Sequence, residues 1–264
     1  MVMVSIGLLA GKYNLHLATL SFVAQLLGAG GQDMMIPDVG EETTFWQRGL
    51  YQVAGLDEAG RGPWAGPVYA AAVILPQRMD VLEALQEVRD SKVLSPRRRV
   101  ACFDRIMAVA VAVGVGFASA GEIDALGILP ATRLAMHRAL RGLGVTPDAL
   151  IIDALALPDA PQPQRFFPRA DARSLSVASA SIIAKVTRDR WMARVAEPWF
   201  PGYGFARHKG YGTPQHREAL KRLGPCPLHR ASFRPIAELY ARSPLPPEGA
   251  NGSETKAAGE PDDG

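Results

Sequence analysis

Short apolar runs bounded by glycine, proline or charge predict five strands. "YQVAGLD" (51–57) runs as a strand into a glycine-rich turn, and "PVYAAAVIL" (67–75), apolar and β-rich, predicts a second. "VAVAVGVGFASA" (109–120) predicts a third, and "ALIID" (149–153) a short buried fourth behind the turn signal "TPD". "QRFFPRA" (164–170) predicts a fifth, cut short by Pro168. Helical spacing takes over between them. "EIDALGILPATRLAMHRALRGLG" (122–144) is helical in parts, with Gly142 or Gly144 as its stop. "SVASASIIAKVTRDRWMARVAE" (176–197) is the clearest helix, ended by Pro198. A loop-rich basic stretch follows, then a helix near "PQHREALKRLG" (214–224). Strands first, then strands alternating with helices, predict an α/β domain with a mixed sheet. No internal repeat is present.

The ends break this pattern. Residues 243–264 carry proline, glycine and charge with almost nothing to bury, which predicts a disordered acidic tail. The head is apolar but has no clear place in a fold. Its best uninterrupted stretch, Leu17 to Gly30, is too short for a comfortable membrane span, so no membrane association is expected. Lys12 follows apolar residues and matches a signal peptide poorly. The expected start is Met34 or Met35, with the head an overextended translation and a targeting segment the alternative. The expected organisation is an N-terminal extension over 1–47, one domain over 48–242 and the tail over 243–264.

Composition and charge narrow the class. The 264 residues are 48% hydrophobic and 21% charged, enough for a sizeable core. Five acids against one lysine give the tail −4, which leaves residues 1–242 at +7 of the formal +3 total. A basic body suits a polyanionic partner such as nucleic acid. Cys102 and Cys226 stand too far apart in sequence for a disulfide framework or a clustered zinc site. They predict reduced thiols in a cytoplasmic protein.

The candidate chemistry lies in "AGLDEAGRGPWAGPV" (54–68). Gly60, Gly62 and Ala65 match a dinucleotide fingerprint, but Pro63, Pro67 and the β-like run after them exclude the helix it must open. A P-loop needs Lys-Ser/Thr after its glycine, which is absent. What remains is a strand ending in Asp57 and Glu58, then a turn with a bare backbone. Adjacent strand residues face opposite ways, so the two acids converge only where the strand bends or ends. Gathered carboxylates repel unless protonated or metal-bound, and oxygen-only ligands suit Mg²⁺ or Mn²⁺. Asp153 ends the buried strand "ALIID", a common place for chemistry in α/β sheets and equally a place for a cap. Asp171 precedes the long helix, where it competes with Ser174 and Ser176 for the role of N-cap. His208, His216 and His229 fit no helical ligand pair; His208 beside Lys209 reads as a phosphate contact, and all three as surface histidines or ones standing behind other groups.

These motifs, with "RDSKVLS", "IIDA", "RADARSLSVASASIIAKVTRDR" and "YGFARHKGYGTPQH", resemble in order and spacing type 2 ribonuclease H, ribonuclease HII, over residues 51 to 235. The resemblance implies a ribonuclease H-like mixed β-sheet flanked by helices, with a small C-terminal helical part. It implies an endonuclease that cleaves RNA in RNA–DNA hybrids and incises duplex DNA 5′ of embedded ribonucleotides, as in ribonucleotide excision repair. It further implies two Mg²⁺ or Mn²⁺ ions, 3′-hydroxyl and 5′-phosphate ends, and a monomer.

Carried over by position, Asp57, Glu58, Asp153 and Asp171 match the family's four metal-binding acids. Gly60, Arg61 and Gly62 match the turn that reads the ribose 2′-OH, and Tyr211 the tyrosine that packs on the next sugar. Ser91 and Lys92 match a substrate-side pair; Lys185, His208 and Lys209 complete the expected substrate contacts, and Arg188, Asp189 and Arg190 have a structural or phosphate role at most. Three positions depart from the pattern. Ala154 stands for the usual glycine after the third acid, and Arg169 and Ala170 for the usual Lys-Gly before the fourth. Each alanine adds a Cβ beside a ligand and restricts the backbone there. Trp64 stands for a smaller apolar residue, as packing or as a minor-groove contact. A hybrid-binding module without catalysis would lack one of the acids, and a type 3 enzyme would carry an N-terminal substrate-binding domain.

Overall fold

The computed structural model describes residues 36–242 apart from Met79. The expectations for the head over 1–35 and the tail over 243–264 lie outside the described residues. A five-stranded sheet in the order β3-β2-β1-β4-β5 forms the centre. Its strands are β1 (Val53–Ala59), β2 (Val68–Ile74), β3 (Ala112–Ala118), β4 (Ala149–Asp153) and β5 (Gln164–Phe167). The pairs β1–β2 and β2–β3 are antiparallel; β1–β4 and β4–β5 are parallel. The fold class is the expected one: α/β, with a mixed sheet flanked by helices.

The chain also forms α1 (Gly40–Trp46), α2 (Asp80–Ala84), α3 (Pro96–Val109), α4 (Ala120–Leu126), α5 (Ile128–Gly142) and α6 (Leu175–Trp191). Strand alternation sorts the sheet into two faces. Val53, Ala71, Val73, Ala149 and Ile151 pack with Val177, Ala178 and Ile182 of α6. Ala54, Leu56, Ala70, Ala72, Leu150 and Ile152 pack with Ala131, Ala135, Met136 and Ala139 of α5. The parallel pairing ends at Leu56 opposite Ile152, so Asp57 and Asp153 come next, side by side at the strand ends.

A third apolar cluster builds the C-terminal lobe, where Ala65 meets Met192, Ala196, Tyr203, Phe205, Leu220 and Ile236. Its helices are α7 (Glu197–Trp199), α8 (Phe205–His208), α9 (Pro214–Leu223) and α10 (Arg234–Arg242).

Four elements depart from expectation. Pro198 does not end the long helix: the chain passes through a π-helical turn at Met192–Ala196 and stays helical to Trp199, with Pro198 in α7 directly after that turn. The third strand begins at Ala112, because Val109 belongs to α3. That helix is capped by Ser95, whose Oγ accepts the Arg98 N–H at 3.4 Å, with Pro96 following. Part of the expected N-terminal extension is core: Phe45 and Trp46 of α1 are buried, and Asp38 bridges to Ser174.

Candidate active site

The sheet delivers its acids to one cleft of about 550 Å³, lined by Asp57, Glu58, Asp153, the Gly60–Gly62 turn, Ser91, Lys92, Lys185 and Tyr211. β1 runs unbroken through Glu58 to Ala59, so the two neighbouring acids leave opposite faces of the strand. Both reach the cleft because it opens at the strand end rather than over one face. The Asp57 carboxylate accepts the Glu58 N–H at 2.7 Å, and Ser181 of α6 shares a hydroxyl–hydroxyl bond of 2.9 Å with Ser91. Asp153 accepts the Ala170 N–H at 2.8 Å. Glu58 accepts from Arg61 at 3.1 Å through one oxygen, while its other oxygen is buried and unpartnered.

Asp171 lies buried in a short 3₁₀ turn, Ala170–Ala172, close enough for its charge to act on Asp57. Ser174 caps α6 by accepting the Val177 N–H at 3.2 Å, which leaves Asp171 without a capping role. Its carboxyl feels the charges of Asp90 and Asp153.

The electrostatics follow from burial. Burial, then the charges of Glu58, Asp153 and Asp171, push the Asp57 carboxyl well above its ordinary range. Burial also raises Glu58, against the pull of Arg61. Burial, Asp90 and Asp153 push Asp171 up to about 6. Burial pulls Lys92 down, but Asp90, Asp57, Asp171 and Asp153 together hold its ammonium above its usual value. Among the described residues no three Asp, Glu, His or Cys side chains form a ready-made cage for one ion. Like charges without a counter-ion hold apart, and this set has what a cation requires: hard oxygens, mutual repulsion and an orphaned buried carboxylate oxygen. The residues fit a divalent metal.

Two buried arginines build the glycine turn from below. Arg230 donates to the carbonyls of Gly60 at 2.6 Å, Arg61 at 2.8 Å and Gly66 at 3.0 Å. Arg188 donates to Pro67 at 2.9 Å, Ala65 at 3.2 Å and Lys209 at 3.1 Å. Gly60 has φ +96°, and a Cβ there would lie 2.0 Å from Arg188 Nε. Gly62 differs: a Cβ there meets nothing within 4 Å. The fold therefore demands glycine at Gly60 but not at Gly62, whose bare backbone faces open space. The carbonyls of Gly60 and Arg61 are taken by Arg230, while the N–H groups of Arg61 and Gly62 have no partner among the described residues.

Lys185 pairs with Asp189 at 2.7 Å and stands 5.9 Å from the Tyr211 ring centroid. Tyr211 itself is 43% exposed. Two expected phosphate contacts are elsewhere. His208 is buried, with Nε2 at 2.7 Å from the Tyr203 carbonyl and its ring stacked on His216 at 4.4 Å. Its Nδ1 accepts the Gly210 N–H at 3.2 Å, so both ring nitrogens are bonded within the lobe, and it does not line the cleft. Lys209 turns its ammonium onto the Ala206 carbonyl and is no part of the cleft wall. His216 and His229 are also buried, not surface groups. Trp64 packs: its ring lies beside His216, and Arg217 covers it at 5.4 Å.

Ala154 and Arg169 adopt left-handed backbone at φ +56° and +59°, whereas Ala170 does not. The added Cβ therefore strains the backbone after the third acid but not at Ala170. Ser181, Asp90 and Arg230 went unread in the sequence. Only "RDSK", which puts an acid one residue before Ser91, carried a signal for any of them.

Residues 54–236 match the family model described as Ribonuclease HII. The chain is 54% identical over 204 residues to the Ribonuclease HII of Roseiflexus castenholzii, covering 77% of this chain and 91% of that one. It is 52% identical over 206 residues to a Ribonuclease HII of Thermus thermophilus, covering 78% and 97%. The crystal structure of ribonuclease H2 from Pyrococcus horikoshii superposes with a TM-score of 0.59 at 27% identity, covering 72% and 98%. With residues 54–236 matching the family model and about half its aligned residues shared with those enzymes, the chain belongs to the ribonuclease HII family and is a ribonuclease H, a metal-dependent nuclease.

Proposed function

We propose that the protein cleaves RNA in RNA–DNA hybrids and incises duplex DNA on the 5′ side of an embedded ribonucleotide, leaving 3′-hydroxyl and 5′-phosphate ends. The observation that carries this reading is the pairing of repelling buried acids with an open glycine turn in one cleft. Asp57, Glu58, Asp153 and Asp171 would hold Mg²⁺ or Mn²⁺. Held there, such ions would supply activation of a water and stabilisation of the leaving oxygen for phosphodiester hydrolysis. The chain's own groups do the rest. Lys92 and Lys185 draw the phosphate backbone into the cleft. The free N–H groups of Arg61 and Gly62 meet the 2′-OH, the one group that distinguishes RNA from DNA at the site. Tyr211 packs on the following sugar and favours one without a 2′-OH. Residues 36–242 act as one catalytic body, a cytoplasmic monomer on its nucleic acid.

The test is incubation with a duplex holding one ribonucleotide, beside an all-DNA duplex, with and without Mn²⁺ or Mg²⁺. Metal-dependent incision 5′ of the ribonucleotide and none of the DNA control is expected. Cutting of long hybrids alone would withdraw the single-ribonucleotide part of the reading.

A further inference from the structure

Beneath Tyr211 the lobe holds three buried histidines tied to one another and to the backbone by hydrogen bonds. His216 Nδ1 lies 3.0 Å from the Tyr211 carbonyl. A carbonyl only accepts, so this nitrogen carries the proton. A neutral ring then leaves Nε2 as an acceptor, and it lies 3.0 Å from His229 Nε2. That nitrogen must donate, which makes His229 Nδ1 an acceptor in turn. It accepts the Cys226 N–H at 2.8 Å, the shorter of its two contacts with that residue, the Cys226 carbonyl lying 3.1 Å away. His208 resolves the same way, with Nε2–H donating to Tyr203 at 2.7 Å and Nδ1 accepting the Gly210 N–H at 3.2 Å. In this assignment every ring nitrogen has a role and all three rings are neutral; a proton on His229 Nδ1, facing the Cys226 carbonyl, would instead require an imidazolium at His216. Burial is consistent with the neutral rings, holding His216 and His229 down to about 4.

The relay grips the backbone of one short loop. Tyr211 and Gly210 are bonded by two of the histidines, and the Gly210 carbonyl accepts the Trp64 N–H at 2.8 Å. The Tyr211 ring is left exposed on the cleft wall while its main chain is fixed from inside.

We propose that His216, held in its Nδ1–H form by His229, is a positioning residue that sets the Tyr211 ring against the sugar and so sets the preference for a single embedded ribonucleotide. This rests on the reading of Tyr211 as the sugar-packing residue. The role needs a donor at one point in space, so isosteres separate it from simple filling. Asparagine at 216 places an amide N–H where Nδ1 stands; glutamine places it where Nε2 stands.

The experiment has two parts. In the wild-type protein, ¹⁵N-resolved NMR of the imidazoles at neutral pH should show His216 as Nδ1–H and His229 as Nε2–H. An imidazolium or an Nε2–H form at His216 overturns the proposal, and this reading needs no variant to fold. The second part measures kcat/KM for a single-ribonucleotide duplex divided by that for a long hybrid. His216→Gln should lower this ratio about fivefold to tenfold, the scale of one hydrogen bond, and His216→Asn should keep it within about twofold. In a Tyr211→Ala background His216→Gln should add nothing. Equal effects of the two isosteres, or an undiminished glutamine effect without the Tyr211 ring, overturn the positioning role and leave the Tyr211 reading intact. An unchanged ratio in Tyr211→Ala alone overturns that reading, and with it the role assigned to His216.

Discussion

The carboxylates at the ends of β1 and β4 and the histidines under Tyr211 are both withdrawn from water, and they differ in what they find there. In the cleft, Asp57 faces three other acids, and one oxygen of Glu58 has no partner. In the lobe every histidine nitrogen is matched to a donor or acceptor. Burial raises the acids and lowers the bases, so it opposes charge in both places. The histidines meet that demand by staying neutral. The acids stay poised between protonation and a cation. A buried polar set left unsatisfied marks where a ligand is expected, and a satisfied one marks scaffold.

Removing charge from the cleft should break this contrast most sharply. Asp57→Asn is expected to lower cleavage by about a thousandfold or more, the scale of losing a charge-stabilising group. The same variant should melt no lower than the wild type without divalent ions, because it relieves repulsion while its amide oxygen still accepts the Glu58 N–H. Cleavage assays and thermal melts read both. Near-normal cutting would remove Asp57 from the site.

The glycine turn offers the next contrast. Gly60→Ala should destabilise the fold, since its Cβ meets Arg188, while Gly62→Val should fold and lose incision at a single ribonucleotide. Circular dichroism beside the incision assay separates the two. A folded, active Gly62→Val would show that the turn does not approach the substrate.

Stability against pH tests the satisfied side. A histidine whose folded value lies below its unfolded one binds fewer protons when folded, so stability falls as pH drops from about 6.5 toward about 4. The raised acids act oppositely, with Asp171 costing stability as pH rises toward about 6. Asp57→Asn weakens the acid limb and should expose the histidine limb as a loss of a few kcal/mol between those pH values. Urea unfolding at stepped pH measures it, and a profile of the same slope in the wild type and Asp57→Asn would contradict the opposed acid and histidine limbs.

The smallest effect is local. Ala154 in the left-handed region costs about 1–2 kcal/mol, and glycine returns about 0.4–1 kcal/mol of that to the unfolded chain. Ala154→Gly should therefore gain about 0.5 kcal/mol, read as a small rise in melting temperature. A fall would mean that the alanine is not strained.

How far each region could be read from sequence follows from how its information is carried. β4 ends at Asp153 as the apolar run predicts, and the acids sit at strand ends, because strand burial writes itself into consecutive residues. The α3 helix escaped notice because only Cys102 and Ile106 of its stripe are buried, too thin a pattern beside its arginines. The histidine lobe escaped for a different reason. Its rings come from α8, α9 and the loop before α10, and only tertiary contact turns three scattered polar residues into core. Arg188 and Arg230 are among the largest fully buried side chains, and no local pattern announces a buried arginine. The strained Ala154 is legible only against a family habit of glycine at that place.

The most direct measurement is calorimetric titration of Mn²⁺ into the full chain near pH 6, in two buffers of different ionisation enthalpy. Acids that hold protons until a cation displaces them must release protons on binding. The expected result is a buffer-dependent heat corresponding to net proton release, much reduced in Asp57→Asn. Binding without proton release, or binding unchanged in Asp57→Asn, would contradict a metal site built from these buried carboxylates.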